Sequence, residues 1–143
     1  MKYIHYGHKT FEPDRFQKVE NQLGIPKPNG GLWASPIETE YGWKEWNANK
    51  NIGASFVEYF MFTLKKDAKV LTISNVEQLG DLPQLNSLFP FNTWALLDYE
   101  KLAEEYDAIE VKITEDGRLY EKLYTWDCDS ILIINPDVIE LDK

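Results

Sequence analysis

Cysteine is nearly missing from this chain: Cys128 is the one thiol in 143 residues. A single cysteine excludes an internal disulfide and any zinc site built on paired thiolates. Long apolar runs are missing too. None approaches the roughly 18 residues that a membrane-spanning helix needs. The first residues, Met1-Lys2-Tyr3-Ile4-His5-Tyr6, lack the apolar core of a secretory signal. The two histidines, His5 and His8, have no further ligands at metal-site spacing, so no metal is expected. Basic residues are outnumbered, 15 Lys and Arg against 24 Asp and Glu, for a formal net charge of -9. That balance argues against nucleic-acid binding by bulk electrostatics. Glycine-rich phosphate loops of the P-loop or dinucleotide type are absent, as are repeats, low-complexity tracts and linkers. These absences exclude a secreted disulfide scaffold, a membrane protein and a zinc ribbon. A cytoplasmic protein is expected, or an effector exported without a recognisable signal.

What is present is an ordinary folding composition, 43% hydrophobic and 27% charged, long enough to bury a core unaided. The length fits one domain, 1–143. Aromatics reach 14%, with five Trp. Charge is uneven: residues 1–60 hold seven basic and seven acidic residues, whereas residues 61–143 hold eight and seventeen. The acidic part reads as a solvated surface that aids solubility, or as a face that docks a basic partner.

Residues 3–7 read as a short strand. Pro13 with Phe16, Val19 and Leu23 at i, i+3, i+7 spacing predicts an amphipathic helix over 13–23. Glycines and prolines over 24–31 predict a loop, followed by a strand at Leu32-Trp33-Ala34. Ser35-Pro36-Ile37-Glu38 has capping-box spacing and predicts a helix carrying Tyr41, Trp43 and Trp46. Residues 56–64 predict a strand covered on both faces, and residues 69–74 another. Between 75 and 90 one short helix is expected at most. Asp98 should cap a helix with Tyr99, Leu102, Ala103 and Tyr106 on one face. Ile109, Val111 and Ile113 alternate with Glu110 and Lys112, predicting a half-exposed strand, and Asp116-Gly117 predicts a hairpin turn into a strand over 118–125. Residues 130–134 predict a buried strand ended by Asn135-Pro136. The count is six or seven strands and three or four helices, an α+β domain with a strongly twisted, mostly antiparallel sheet.

Three segments could carry chemistry. In His5-Tyr6-Gly7-His8-Lys9 a glycine interrupts a strand among groups that donate, accept or stack, as where a ligand or another backbone comes close; a bulge or strand end explains it equally. The segment from Lys27 to Trp46 puts two glycines before a strand and four large rings within fourteen positions, enough for a slot around a flat heterocycle; ordinary core packing is the alternative. Trp126-Asp127-Cys128-Asp129 leads into the apolar strand Ser130-Ile131-Leu132-Ile133-Ile134. Aspartate is disfavoured in strands, and in extended chain Asp127 and Asp129 point to one face; a simple turn is the alternative. The two acids should raise the Cys128 thiol pKa, so a nucleophilic thiolate is not expected.

Taken together, these segments resemble the ADP-ribosyltransferases of the diphtheria-toxin and poly(ADP-ribose) polymerase branch. The first family motif, Tyr-His-Gly-Thr/Ser, is matched by His5-Tyr6-Gly7-His8. The second, Gly-x-Tyr-x-(Ala/Ser) with a stacking tyrosine in the next helix, is matched by Gly31-Leu32-Trp33-Ala34-Ser35, then Tyr41 and Trp43. The third, a catalytic glutamate opening a late strand, is matched by Asp129-Ser130-Ile131-Leu132-Ile133-Ile134-Asn135-Pro136. Order and rough spacing agree over nearly the whole chain. The departures are Tyr6 at the family histidine, Trp33 at the family tyrosine and Asp129 at the glutamate; the branch with Arg and Ser-Thr-Ser fits less well.

The resemblance implies a split sheet flanked by short helices and NAD as substrate. It implies that Gly7 presents its backbone to the nicotinamide carboxamide. Tyr6 or His8 would bond the adenosine-side ribose, and Trp33 with Tyr41 or Trp43 would sandwich the nicotinamide ring. His5 and Ser35 join these cofactor-binding positions. Asp129 would bond the ribose hydroxyl and offset charge developing on the sugar. The implied activity is transfer of ADP-ribose to a macromolecular acceptor, a protein rather than a nucleic acid. The alternatives are an NAD glycohydrolase and a weak or inactive binding protein of the same fold.

Overall fold

A computed structural model describes residues 1–39, 41–45, 58–86 and 94–141. Trp46 and the start of the strand expected over 56–64 lie outside them. Seven strands run β1 (Tyr3–Tyr6), β2 (Leu32–Pro36), β3 (Tyr59–Leu64), β4 (Val70–Ile73), β5 (Ala108–Val111), β6 (Ser130–Ile133) and β7 (Ile139–Leu141). They form one curled mixed sheet in the order β4-β5-β6-β2-β1-β3-β7. Only the β4–β5 pair is parallel; the others are antiparallel. Among the described residues, the short helices α1 (Tyr99–Leu102) and α2 (Arg118–Lys122), a helical turn at residues 43–45 and several 3-10 turns complete an α+β domain. No described helix is long and apolar enough to cross a membrane.

Strand alternation sorts the core onto two faces. On the first face Trp33, Ile109, Val111 and Leu132 pack with Tyr99, Leu119, Leu123 and Trp126. On the second, Tyr3, Phe60, Phe62, Ile131 and Ile133 pack with Val138. β5 and β6 are buried along their whole length because both faces are covered.

Several expectations are corrected here. The helix over 13–23 is a single 3-10 turn, Pro13–Arg15, after which Phe16 is extended. The next residues spend their hydrogen bonds on the glycine loop instead: Glu20 pairs with Asn29, and Gly31 N–H donates to Gln17 O at 2.8 Å. Val19 is buried, but Leu23 is 81% exposed, so no continuous apolar stripe forms. Ser35 and Pro36 belong to β2 rather than to a helix start. The strand expected over 118–125 is α2, because Leu119 and Leu123, at i, i+4, both bury on the first face. Asp116 does not turn a hairpin: its carboxylate accepts from Val76 N–H and Arg118 N–H. β5 is fully buried, not half-exposed, and takes Glu110 with it. The Asp98 cap is present, accepting from Lys101 N–H at 3.1 Å, and the segment after Ser74 holds a 3-10 helix closed by a capping box.

Gly31 fixes how the loop meets the sheet. Its φ is +72°, and a Cβ there would stand 2.4 Å from Leu132 Cδ1 and 3.0 Å from Ile133 O. Gly31→Ala should therefore cost roughly 2–5 kcal/mol through backbone strain and overpacking, read as a lower urea midpoint at unchanged slope.

Candidate functional site

The three chemistry-bearing segments meet because β1, β2 and β6 are consecutive neighbours in the sheet. The β1–β2 seam is short, with Tyr3↔Pro36 and Ile4↔Ser35 as its registered pairs. Beyond Ile4 a side chain bridges the two strands: His5 Nδ1 donates to Trp33 O at 2.7 Å. The carbonyl can only accept, which puts the proton on Nδ1. Burial lowers the His5 pKa, so neutral His5 accepts at Nε2 from His8 Nδ1, 3.0 Å away.

The first face carries a ring-lined cleft at this seam, a cavity of about 230 Å³. Tyr6, Ser35, Thr39, Gly42, Trp43 and Glu45 line it. Ser35 Oγ accepts from Trp43 N–H at 2.9 Å and so caps the helical turn at residues 43–45 from eight positions upstream. Gly42 permits the approach, since a Cβ there would lie 2.9 Å from Ser35. Burial, then Glu45, raise the Tyr6 hydroxyl pKa.

Trp33 lies behind this cleft, edge-on to Trp43 with ring centroids 6.4 Å apart and to Trp126 at 4.6 Å. The parallel sandwich expected of Trp33 with Trp43 is therefore not what the rings make. Lys27, whose importance composition did not reveal, sets its ammonium 4.4 Å from the Trp33 centroid and 4.8 Å from that of Trp43. Burial lowers its pKa, and the nearby Asp127 opposes that shift. Its loop is anchored by the Tyr99 hydroxyl, which donates to Pro26 O and accepts from Trp126 Nε1.

Asp129 sits beside this cleft in a second, larger cavity of about 310 Å³ at the end of the sheet. Its Oδ2 accepts from Thr39 Oγ1 at 2.6 Å and Thr114 Oγ1 at 2.7 Å, and its Oδ1 from Thr114 N–H at 2.9 Å. The Asp129 N–H donates to Tyr41 O at 2.9 Å. Pro36 and Thr39 line both cavities and join them. Tyr6, Ser35 and Trp43 are thus brought together, with Tyr41 and Asp129 adjoining through Thr39.

His5 and His8 are not part of that cleft. They line a separate cavity of about 130 Å³ with Phe11, Leu32 and Phe60, because His5 alternates with Tyr6 onto the other face. Gly7 is at the seam with φ +118°, but its N–H already donates to Glu58 O at 2.8 Å, so that half of the expected carboxamide contact is occupied. Cys128 is buried, and burial with Asp127 and Asp129 raises its thiol pKa, as expected. No described cluster of His, Cys, Asp or Glu could hold a metal.

Glu110 is the residue the sequence concealed. It is 5% exposed and lines the larger cavity. Oε1 accepts from the Tyr3 hydroxyl at 3.2 Å, while buried Oε2 has no partner among the described residues. Burial raises its pKa; Asp129 and Glu115 add to this, and Lys112 and the Tyr3 hydroxyl oppose it. The one legible signal is its place in the strand alternation, a carboxyl between Ile109 and Val111.

No family model, curated protein or solved structure matches this chain.

The folded pKa of Glu110 lies above its unfolded value, so its contribution is fully present below the unfolded pKa and is lost as pH rises toward the folded one. Glu110→Gln keeps an acceptor for Tyr3 and removes that loss. The variant should melt a few degrees above the wild type at pH 7.5, with the gap closing toward pH 4, in thermal unfolding followed by circular dichroism.

Proposed function

We propose that this protein is an ADP-ribosyltransferase-like domain that takes NAD as substrate and transfers ADP-ribose to a macromolecular acceptor, a protein rather than a nucleic acid. The observation that carries this reading is the adjacency of β1, β2 and β6, which gathers three motif-like segments from distant parts of the chain around one seam. The ring cleft adds support. Its volume of about 230 Å³ is below the roughly 300–1,000 Å³ of a drug-sized pocket, so it suits one ring-bearing moiety rather than a whole dinucleotide.

In this reading Trp43 and Tyr6 offer ring surface to the nicotinamide, and Ser35 holds the Trp43 turn in place. The nicotinamide–ribose bond breaks with its electron pair leaving on nicotinamide, and positive charge develops on the sugar. Asp129 stabilises that charge by exchanging its Thr39 partner for a ribose hydroxyl. The acceptor's nucleophile then attacks the sugar carbon and gives up its proton.

A second reading is favoured by the full hydrogen bonding of Asp129. In it Asp129 fixes Thr39 and Tyr41, and the fold binds a nucleotide without turning it over. A glycohydrolase differs only in using water as acceptor.

NAD at millimolar concentration should raise the melting temperature, ligand at about 100 times its dissociation constant adding roughly 2.7 kcal/mol. Trp43→Ala should abolish the shift. With adenylate-labelled NAD and a cell extract, label should pass to a protein, and Asp129→Asn, checked for retained fold by circular dichroism, should lower the rate about 10²–10³-fold. Absence of any thermal shift removes the NAD reading altogether. A shift without label or nicotinamide release establishes the binding protein, and nicotinamide release without a target the glycohydrolase.

A further inference from the structure

We propose that the cavity of about 310 Å³ between the ends of β5 and β6 is a recognition site for a guanidinium group, with Glu110, whose buried Oε2 has no partner among the described residues, in its wall. This cavity adjoins the ring cleft, sharing Pro36 and Thr39 with it, and has Asp129 in its wall; the inference does not rest on NAD chemistry.

A buried carboxyl oxygen without a donor is costly, by more than a neutral group would be. Glu110 is buried, yet no described side chain donates to its Oε2. Its companion oxygen is held by Tyr3, so the carboxyl cannot turn to satisfy both. The cavity wall around it is acidic: Glu38, Glu115 and Asp129 line it with Glu110, against the ammonium groups of Lys112 and of Met1. Lys112 forms no ion pair with Glu110, although it lies on the next residue but one of the same segment. The cavity wall therefore holds one buried carboxyl with an unsatisfied oxygen and further carboxylates beside it.

Ligand class follows from this layout. An anion is repelled, and a neutral apolar group leaves Oε2 unsatisfied. A guanidinium brings several planar donors to carboxylates at different depths, and it is more weakly hydrated than an ammonium, which lowers the cost of entering a partly buried site. Glu38 and Glu115 are exposed, so they can steer such a cation inward.

The test is an amide NMR titration of the full chain with methylguanidinium, with methylurea as the uncharged control. Methylguanidinium should shift the amides of Thr39, Lys112, Thr114 and Asp129 saturably. In Glu110→Gln, whose spectrum elsewhere should match the wild type, binding should weaken at least about tenfold. The double variant Glu38→Gln/Glu115→Gln should weaken it several-fold and serves if Glu110→Gln fails to fold. N-acetyl-arginine methylamide distinguishes the source of the group. Tighter binding than methylguanidinium supports an arginine side chain of a polypeptide; weaker binding supports a free small cation. Equal shifts from methylurea, or unchanged affinity when Glu110 or the rim carboxylates are replaced, overturn the proposal.

Discussion

A carboxyl group at the head of β6 holds the candidate site together. Asp129 accepts two hydrogen bonds from Thr114 and one from Thr39, and its own N–H donates to Tyr41. Four contacts thus tie β6 to the segment after β2 and to the turn after β5. Hydrogen bonds to a charged acceptor contribute more than neutral ones, roughly 1.5–3 kcal/mol each. Without them the chain after Pro36 keeps the Ile37 N–H bond to Lys2 O and the Trp43 N–H bond to Ser35 Oγ but loses its ties to β6 and to the turn after β5. The outer wall of the ring cleft, which Thr39 and the turn carrying Trp43 supply, is then held less firmly. The clamp therefore lies upstream of every functional reading.

The sheet imposes the second constraint. Neighbouring residues in a strand face opposite sides, so His5 and Tyr6 cannot serve one cleft. His5 bridges to Trp33 O and packs at 5.0 Å against Phe60, whereas Tyr6 packs at 6.1 Å against Tyr59 beside the ring cleft. The same rule sends Glu110 to the Tyr3 side while Ile109 and Val111 enter the other core. A motif read one residue out of step would exchange these assignments wholesale.

That explains what could be read beforehand. The strands at 3–7, 69–74 and 130–134 announced themselves through short apolar runs between turn residues. The Asp98 cap did so through one polar side chain before a helical pattern. What failed were patterns open to two periods. Leu119 and Leu123 fit a helix as well as a strand, and tertiary packing on the first face decided for α2. Val19 fits a helical stripe, but its segment bonds to the loop at Asn29 and Gly31. The alternation around Glu110 was correct as a strand and wrong as to exposure, because periodicity reports which residues share a face and not whether that face is covered. Lys27 is invisible to any local pattern, since its neighbours Trp33 and Trp43 reach it through the fold.

Lys27 and Glu110 show how differently a buried charge can be accommodated. Lys27 gives up water but gains two indole faces, each contact worth about 0.5–2 kcal/mol, with Asp127 nearby. Its environment accounts for its place: it braces the two tryptophans. Glu110 gains one phenolic hydrogen bond and faces like charge from Asp129 and Glu115. A leucine or glutamine there would serve the packing of β5 at less cost, so packing does not explain this carboxyl. An incoming donor at Oε2 would. On the guanidinium proposal the cost is borne in the empty state and relieved in the occupied one.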